Sequence, residues 1–205
     1  MPILGVLASG ISGNLTATSG FVSIASYTYT SSSSASVTFS DVPTIYEHLE
    51  LRWSVGDITT NNNTFFAIRF NGDTSTSNYG AARANAYRYT VSGGGAATTK
   101  NFTAWSTLGY ISVGYNTQDK PSSDLKFPSV GIARIPVYSN ANLNIDGKRK
   151  NVSSWYYTQT ADNDYYLGRG WGTWGSTAKI TSITFFNTDS RTLTIGSTVS
   201  LYGVK

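Results

Sequence analysis

Apolar and polar residues alternate over short distances throughout this chain, and the period is two rather than 3.6. The clearest run is Ile45 to Val55. Leu49, Leu51, Trp53 and Val55 fall on one face, and His48, Glu50, Arg52 and Ser54 on the other. Such a run predicts a strand with one buried and one wet face. Phe21–Thr30, Val37 with Phe39, and Phe66, Ile68 and Phe70 repeat the pattern, as do Ala86–Val91, Val152–Gln159 and Val199–Val204. Trp105–Tyr115 has apolar residues on both faces and reads as one strand covered on both sides. Val130–Tyr138 is interrupted by Pro136, which has no amide hydrogen for a ladder and predicts an edge or a bulge.

Turn residues separate these runs: Asp41-Val42-Pro43, Asn61–Asn63, Asn71-Gly72-Asp73, Ser92–Gly95, Asn140–Asn151 and Asp162-Asn163-Asp164. About nine to eleven short strands at close spacing predict an all-β chain, an antiparallel β-sandwich of two sheets. No linker divides it. The reading is a single sandwich domain over residues 21–205, preceded by an extended N-terminal arm over 1–20.

Gly168 to Phe186 stands apart. Its first half alternates glycine with Arg169, Trp171, Thr173 and Trp174, and its second half is β-branched and aromatic, leading to a strand at Ile180–Phe186. Glycine opens dihedrals closed to other residues, so the first half predicts a tight, irregular loop that holds Trp171 and Trp174. With Tyr165 and Tyr166 these rings have three readings: core packing, a subunit interface, or a platform for sugar rings.

The arm is rich in aliphatic residues without periodicity. Disordered leaders are poor in hydrophobes, so Ile3, Leu4, Val6, Leu7, Ile11 and Leu15 read as side chains that dock on a partner. Each fully buried Leu or Ile contributes about 1.5–3 kcal/mol, against about 1–2 kcal/mol per residue for ordering backbone. Docking is favourable only if most of them find pockets. The stretch lacks the basic start of a signal peptide and reads as retained.

Composition sharpens the picture. Charged residues make up 13% of the 205 positions, well under the roughly 25% of an ordinary soluble domain. A sparsely charged, Tyr-rich surface points to contact with neighbours. The net charge of +4 is too scattered to argue for direct contact with nucleic acid, and Lys148-Arg149-Lys150 reads as a solvated hairpin end rather than a phosphate patch. Without cysteine, disulfides and thiolate metal sites are excluded. No apolar run is long enough to span a membrane as a helix.

Candidate chemistry is thin. His48 is the only histidine and lacks the partners of a standard zinc site. There is no Gly-x-Ser-x-Gly elbow, and the 11 acids lie mostly beside turn residues. Asp162 and Asp164 with Asn163 lack the rest of a calcium loop. Gly93–Gly95 is followed by no Lys-Ser/Thr and is not a phosphate loop. The expectation is a non-enzymatic protein with no catalytic residues, no metal and no cofactor.

Several blocks together resemble a family of small bacteriophage virion proteins, of head-decoration or tail-fibre type. They are Pro2-Ile-Leu-Gly, Val37–Tyr46, Phe70–Thr74 with Asn78-Tyr79, Ile135–Tyr138 with Lys148 behind it, Trp174–Ile183 and Leu201–Lys205. The resemblance implies a jelly-roll-like sandwich, a homotrimer, a place in the virion after synthesis in the host cytoplasm, and no catalysis. It implies the major capsid protein as partner, or, for a tail component, other tail proteins and host surface polysaccharide.

Overall fold

Among the described residues the computed structural model has twelve strands, most of them carrying β-branched or aromatic residues at alternate positions. The structure describes residues 20–31, 34–56, 64–91, 95–116, 128–139, 149–159 and 165–205, and only the backbone of 85–106, 116, 159 and 165. The strands are β1 (Phe21–Thr28), β2 (Ser36–Phe39), β3 (His48–Val55), β4 (Thr64–Phe70), β5 (Tyr79–Val91) and β6 (Gly95–Ser106). They continue with β7 (Ile111–Asn116), β8 (Ser129–Pro136), β9 (Lys150–Gln159), β10 (Tyr165–Trp174), β11 (Ile183–Asn187) and β12 (Thr198–Val204). A short 3-10 turn, Thr76–Asn78, precedes β5.

Two antiparallel sheets result. The larger has the order β1-β12-β3-β8-β9-β10-β5-β6, and the smaller β2-β11-β4-β7. The chain changes sheet at every step from β1 to β5, again from β6 through β7 to β8, and again from β10 through β11 to β12. Two antiparallel pairs, β5–β6 and β9–β10, break this alternation. They arise from distant parts of the chain yet lie side by side, joined by the β5–β10 ladder. Together they form a wing that widens the larger sheet.

The core lies between the sheets. Leu49, Leu51, Trp53 and Val55 of β3 meet Phe66, Ile68, Phe185 and Ile183 from the smaller sheet, all buried. Phe185 sits at the centre, 5.5 Å from Phe66 and 5.7 Å from Trp53 between ring centroids. The alternation read along Ile45–Val55 therefore places the core face correctly.

Three expectations are corrected or narrowed. Trp105–Tyr115 is not one strand: β6 ends at Ser106, Gly109 takes φ +71°, and β7 begins at Ile111 in the other sheet. Leu108 and Tyr110 lie in the connection, while Ile111–Tyr115 of β7 are buried on both faces, as expected for a strand covered on both sides. Strand β8 is interior over most of its length, between β3 and β9, and only its Pro136 end is the edge expected there. Pro136 is its last residue, beyond the β9 ladder, which stops at Arg134, so its missing amide hydrogen costs no bond on that side. Lys150 is not solvated. It is buried, and its Nζ donates to the Ser176 carbonyl at 2.7 Å, lying 5.1 Å from the Trp174 ring. The arm, residues 1–19, lies outside the described residues, as do Asp162-Asn163-Asp164, Gly93, Gly94 and Lys148.

Candidate functional surface

The Gly/Trp run is a regular strand. All ten residues of β10 pair on both sides, Trp171 with Ala82 and Ser153, Trp174 with Tyr79 and Lys150. The irregular loop expected there is absent, and the reason is spatial. Gly168, Gly170 and Gly172 all point inward. A Cβ on Gly168 would lie 2.2 Å from the Tyr156 ring, on Gly170 2.7 Å from the Ser112 carbonyl oxygen, and on Gly172 2.6 Å from the Ile111 side chain. The glycines strip the inner face of β10 so that β7 can pack directly on it. None of the three has positive φ.

Strand alternation then separates the two tryptophans. Trp174 is 1% exposed and belongs to the core, between Phe70 and Tyr79. Tyr166 also turns inward, its ring edge-on to Tyr115 at 5.3 Å. Trp171 is 40% exposed on the outer face. For Tyr165 only the backbone is described. Trp174 and Tyr166 thus lie on one side of the strand and Trp171 on the other.

Trp171 has neighbours that its sequence position did not suggest. Ladder registers bring Arg134, Ile132 and Val130 of β8 beside Ser153, Trp155 and Tyr157 of β9, and these beside Trp171, Arg169 and Leu167 of β10. All point away from the core. Leu167 is 60% exposed and Trp155 39%, and Tyr157 and Val130 are also open to solvent. Trp155 is flanked by two guanidinium groups, Arg169 at 4.9 Å and Arg134 at 5.8 Å from its ring, which favours cation–π attraction. On β3, Arg52 lies 5.1 Å from Phe21 and 5.0 Å from Tyr202.

Glu50 ties this face together. It stands on the polar side of β3 but is 1% exposed, because Arg52 and Arg134 close over it. Arg52 Nε donates to Oε1 at 2.7 Å and Arg134 Nε to Oε2 at 3.0 Å. Charge-assisted bonds of this kind are short and geometrically fixed. They hold both guanidinium planes against the aromatic rings.

Three shallow depressions open on the same face. One, about 480 Å³, lies between Phe21 and Trp155 with Glu50 and Arg134 in its wall. The second, about 420 Å³, lies across Trp155 and is lined mainly by Val130, Ile132, Tyr157 and Leu167. The third, about 250 Å³, lies beside Trp171 and Pro136. Neighbouring exposed apolar side chains rimmed by polar groups are the kind of surface that proteins use for interaction. His48 lies at the rim of the first, its Nε2 3.9 Å from the Glu47 carboxylate. Among the described residues no three ligand-type side chains cluster as a metal site would require.

Trp155 and Tyr157 were legible as sharing a face. That Arg52, Arg134 and Arg169 join them was not, because the link runs through ladder registers between strands far apart in the chain.

Comparison with protein-family models, with curated proteins and with solved structures finds no match to this chain.

Proposed function

We propose that this chain is a non-enzymatic structural protein of a bacteriophage virion, a head-decoration (cement) subunit that binds the outer shell and stabilises it against the pressure of packaged DNA. The order β1-β12-β3-β8 facing β2-β11-β4-β7 supports reading the sandwich as a jelly roll, an architecture used by viral capsid proteins and lectins. On this reading β5–β6 and β9–β10 are insertions that extend one sheet. The observation that carries the proposal is the outer face of that extended sheet, where Trp155, Trp171, Leu167 and Val130 stand exposed among arginines. Trp and Arg in this setting are the residues that dominate protein–protein binding energy. The family resemblance of the sequence blocks points the same way.

In this account a homotrimer presents three such faces and three arms carrying Ile3, Leu4, Val6, Leu7, Ile11 and Leu15. Linked contacts act at high effective concentration, so weak individual docking becomes tight binding. The test is co-sedimentation of purified protein with expanded heads that lack it. The wild type should pellet with the heads. Leu167→Asp and a chain lacking residues 2–15 should each stay largely in the supernatant while remaining folded. Equal pelleting of all three would remove the proposal.

A second reading has its own observation. The exposed rings of Trp155 and Trp171 lie on one face, which suits stacking on sugars of a host polysaccharide by a tail-fibre or baseplate component. Glycan-array binding lost in Trp155→Ala and Trp171→Ala would favour it.

A further inference from the structure

We propose that the outer face of β3, β8, β9 and β10 recognises an acidic segment of a partner protein, one that interleaves carboxylates with apolar side chains. The inference rests on the protein-docking reading above and specifies the partner's chemistry.

Charge comes first. Strands β1, β12, β3, β8, β9 and β10 direct four charged groups onto this face: Arg52, Arg134, Arg169 and Glu50. The carboxylate among them is buried and already accepts from two of the arginines. Arg169 has the Trp155 ring as its partner and, among the described residues, no carboxylate. Even with the exposed Glu47 carboxylate beside His48 at the rim, three guanidiniums against two carboxylates, one of them already spent, leave the face cationic. Both bonds to Glu50 come from Nε, so the terminal nitrogens of Arg52 and Arg134 keep donors for a second acid. Stacked guanidiniums are also preorganised, which lowers the cost of binding.

Apolar lining comes second. The depression between Trp155 and Leu167 offers Val130, Ile132 and Tyr157 and almost no polar groups. Sugar hydroxyls placed there would lose water without gaining partners. Aliphatic or aromatic side chains of a protein fit it.

Two nearer occupants fail on charge. A second copy of this face would set arginines against arginines, which opposes association. The chain's own residues 1–19 contain no charged residue, so they would fill the depressions but leave the guanidiniums without carboxylates. An acidic, apolar protein segment meets both requirements.

The test uses the full chain and three probes, followed by calorimetry and by tryptophan fluorescence. They are a short peptide alternating glutamate with leucine, the same peptide with lysine for glutamate, and polygalacturonate as an anionic polysaccharide. The glutamate peptide should bind, weaken as salt rises, and lose roughly tenfold in affinity with Arg169→Glu. Trp155→Ala should weaken it as well. Among the described residues the Arg169 side chain contacts the Trp155 ring alone, and an unchanged melting temperature will show that the variant is folded. Failure of the glutamate peptide to bind, equal binding of the lysine peptide, or binding of polygalacturonate in its place would overturn the inference. Heads that take up wild type and Arg169→Glu alike would overturn it too, while leaving the docking reading intact.

Discussion

The indole Nε1 of Trp174 donates to Oδ2 of Asp73 at 2.7 Å, tying the end of β10 to the turn after β4. The same carboxylate accepts from Asn78 Nδ2 at 2.8 Å and from the Ser75 amide at 2.9 Å. Next to it, the Tyr79 hydroxyl accepts from the Phe70 amide at 3.0 Å, and burial pushes its pKa up to about 12. The wing is therefore fastened to the small sheet by a hydrogen-bonded corner and by ring packing.

Desolvation opposes ionisation of Asp73, but hydrogen bonds from Trp174, Ser75 and Asn78 and the charge of Arg69 outweigh it and hold the pKa below the ordinary value. A carboxylate with a depressed folded-state pKa contributes stability above its unfolded value, about 3.9, and loses it as pH falls through the folded value. Asp73→Ala should cost about 1–3 kcal/mol at pH 7. The gap from wild type should narrow below about pH 4. Urea midpoints at pH 7 and in the acid range would measure it.

Lys150 also has a lowered folded-state pKa, but here it is the charged form that the fold penalises. Burial holds its pKa below the ordinary value, so the unfolded chain binds more protons as pH rises toward about 10.4. Wild-type stability should gain over that window while Lys150→Met stays flat with respect to this group. The variant's stability relative to wild type should be highest near neutral pH and fall toward pH 10, read from paired denaturation curves.

The glycine row gives a sharp contrast. Gly170→Ala and Gly172→Ala place a methyl group within 2.8 Å of backbone carbonyls of Ser112 and Gly80 respectively. Each should cost about 1–3 kcal/mol by overpacking. At Gly175 the nearest atom is 3.4 Å away, and Gly175→Ala should leave the melting temperature nearly unchanged.

The tryptophans should also divide. Trp174→Ala should cost about 3–5 kcal/mol as a core truncation. Trp171→Ala should stay within about 1 kcal/mol of wild type in stability, so thermal melts should shift far more for the first than for the second.

The fold class was legible because period-two alternation survives in β3, β4, β9 and β12. The Ile45–Val55 reading needed two changes: the strand begins at His48, and Glu50 is covered by Arg52 and Arg134, of which Arg134 comes from a strand that sequence spacing cannot pair with it. Glycine misled for a physical reason. Conformational freedom and absence of a side chain look the same in sequence, and at Gly168, Gly170 and Gly172 the second mattered. The surface around Trp155 was half visible. Its aromatic members announced themselves, whereas its arginines joined them through a sheet order that runs β3-β8-β9-β10.

The most direct measurement is a cryo-electron microscopy map of the intact particle that carries this chain. The account predicts density for the sandwich on the outside of the head, with Trp155, Leu167 and Arg169 covered by another protein. A particle in which that face is open to solvent, or from which the chain is missing, would contradict it.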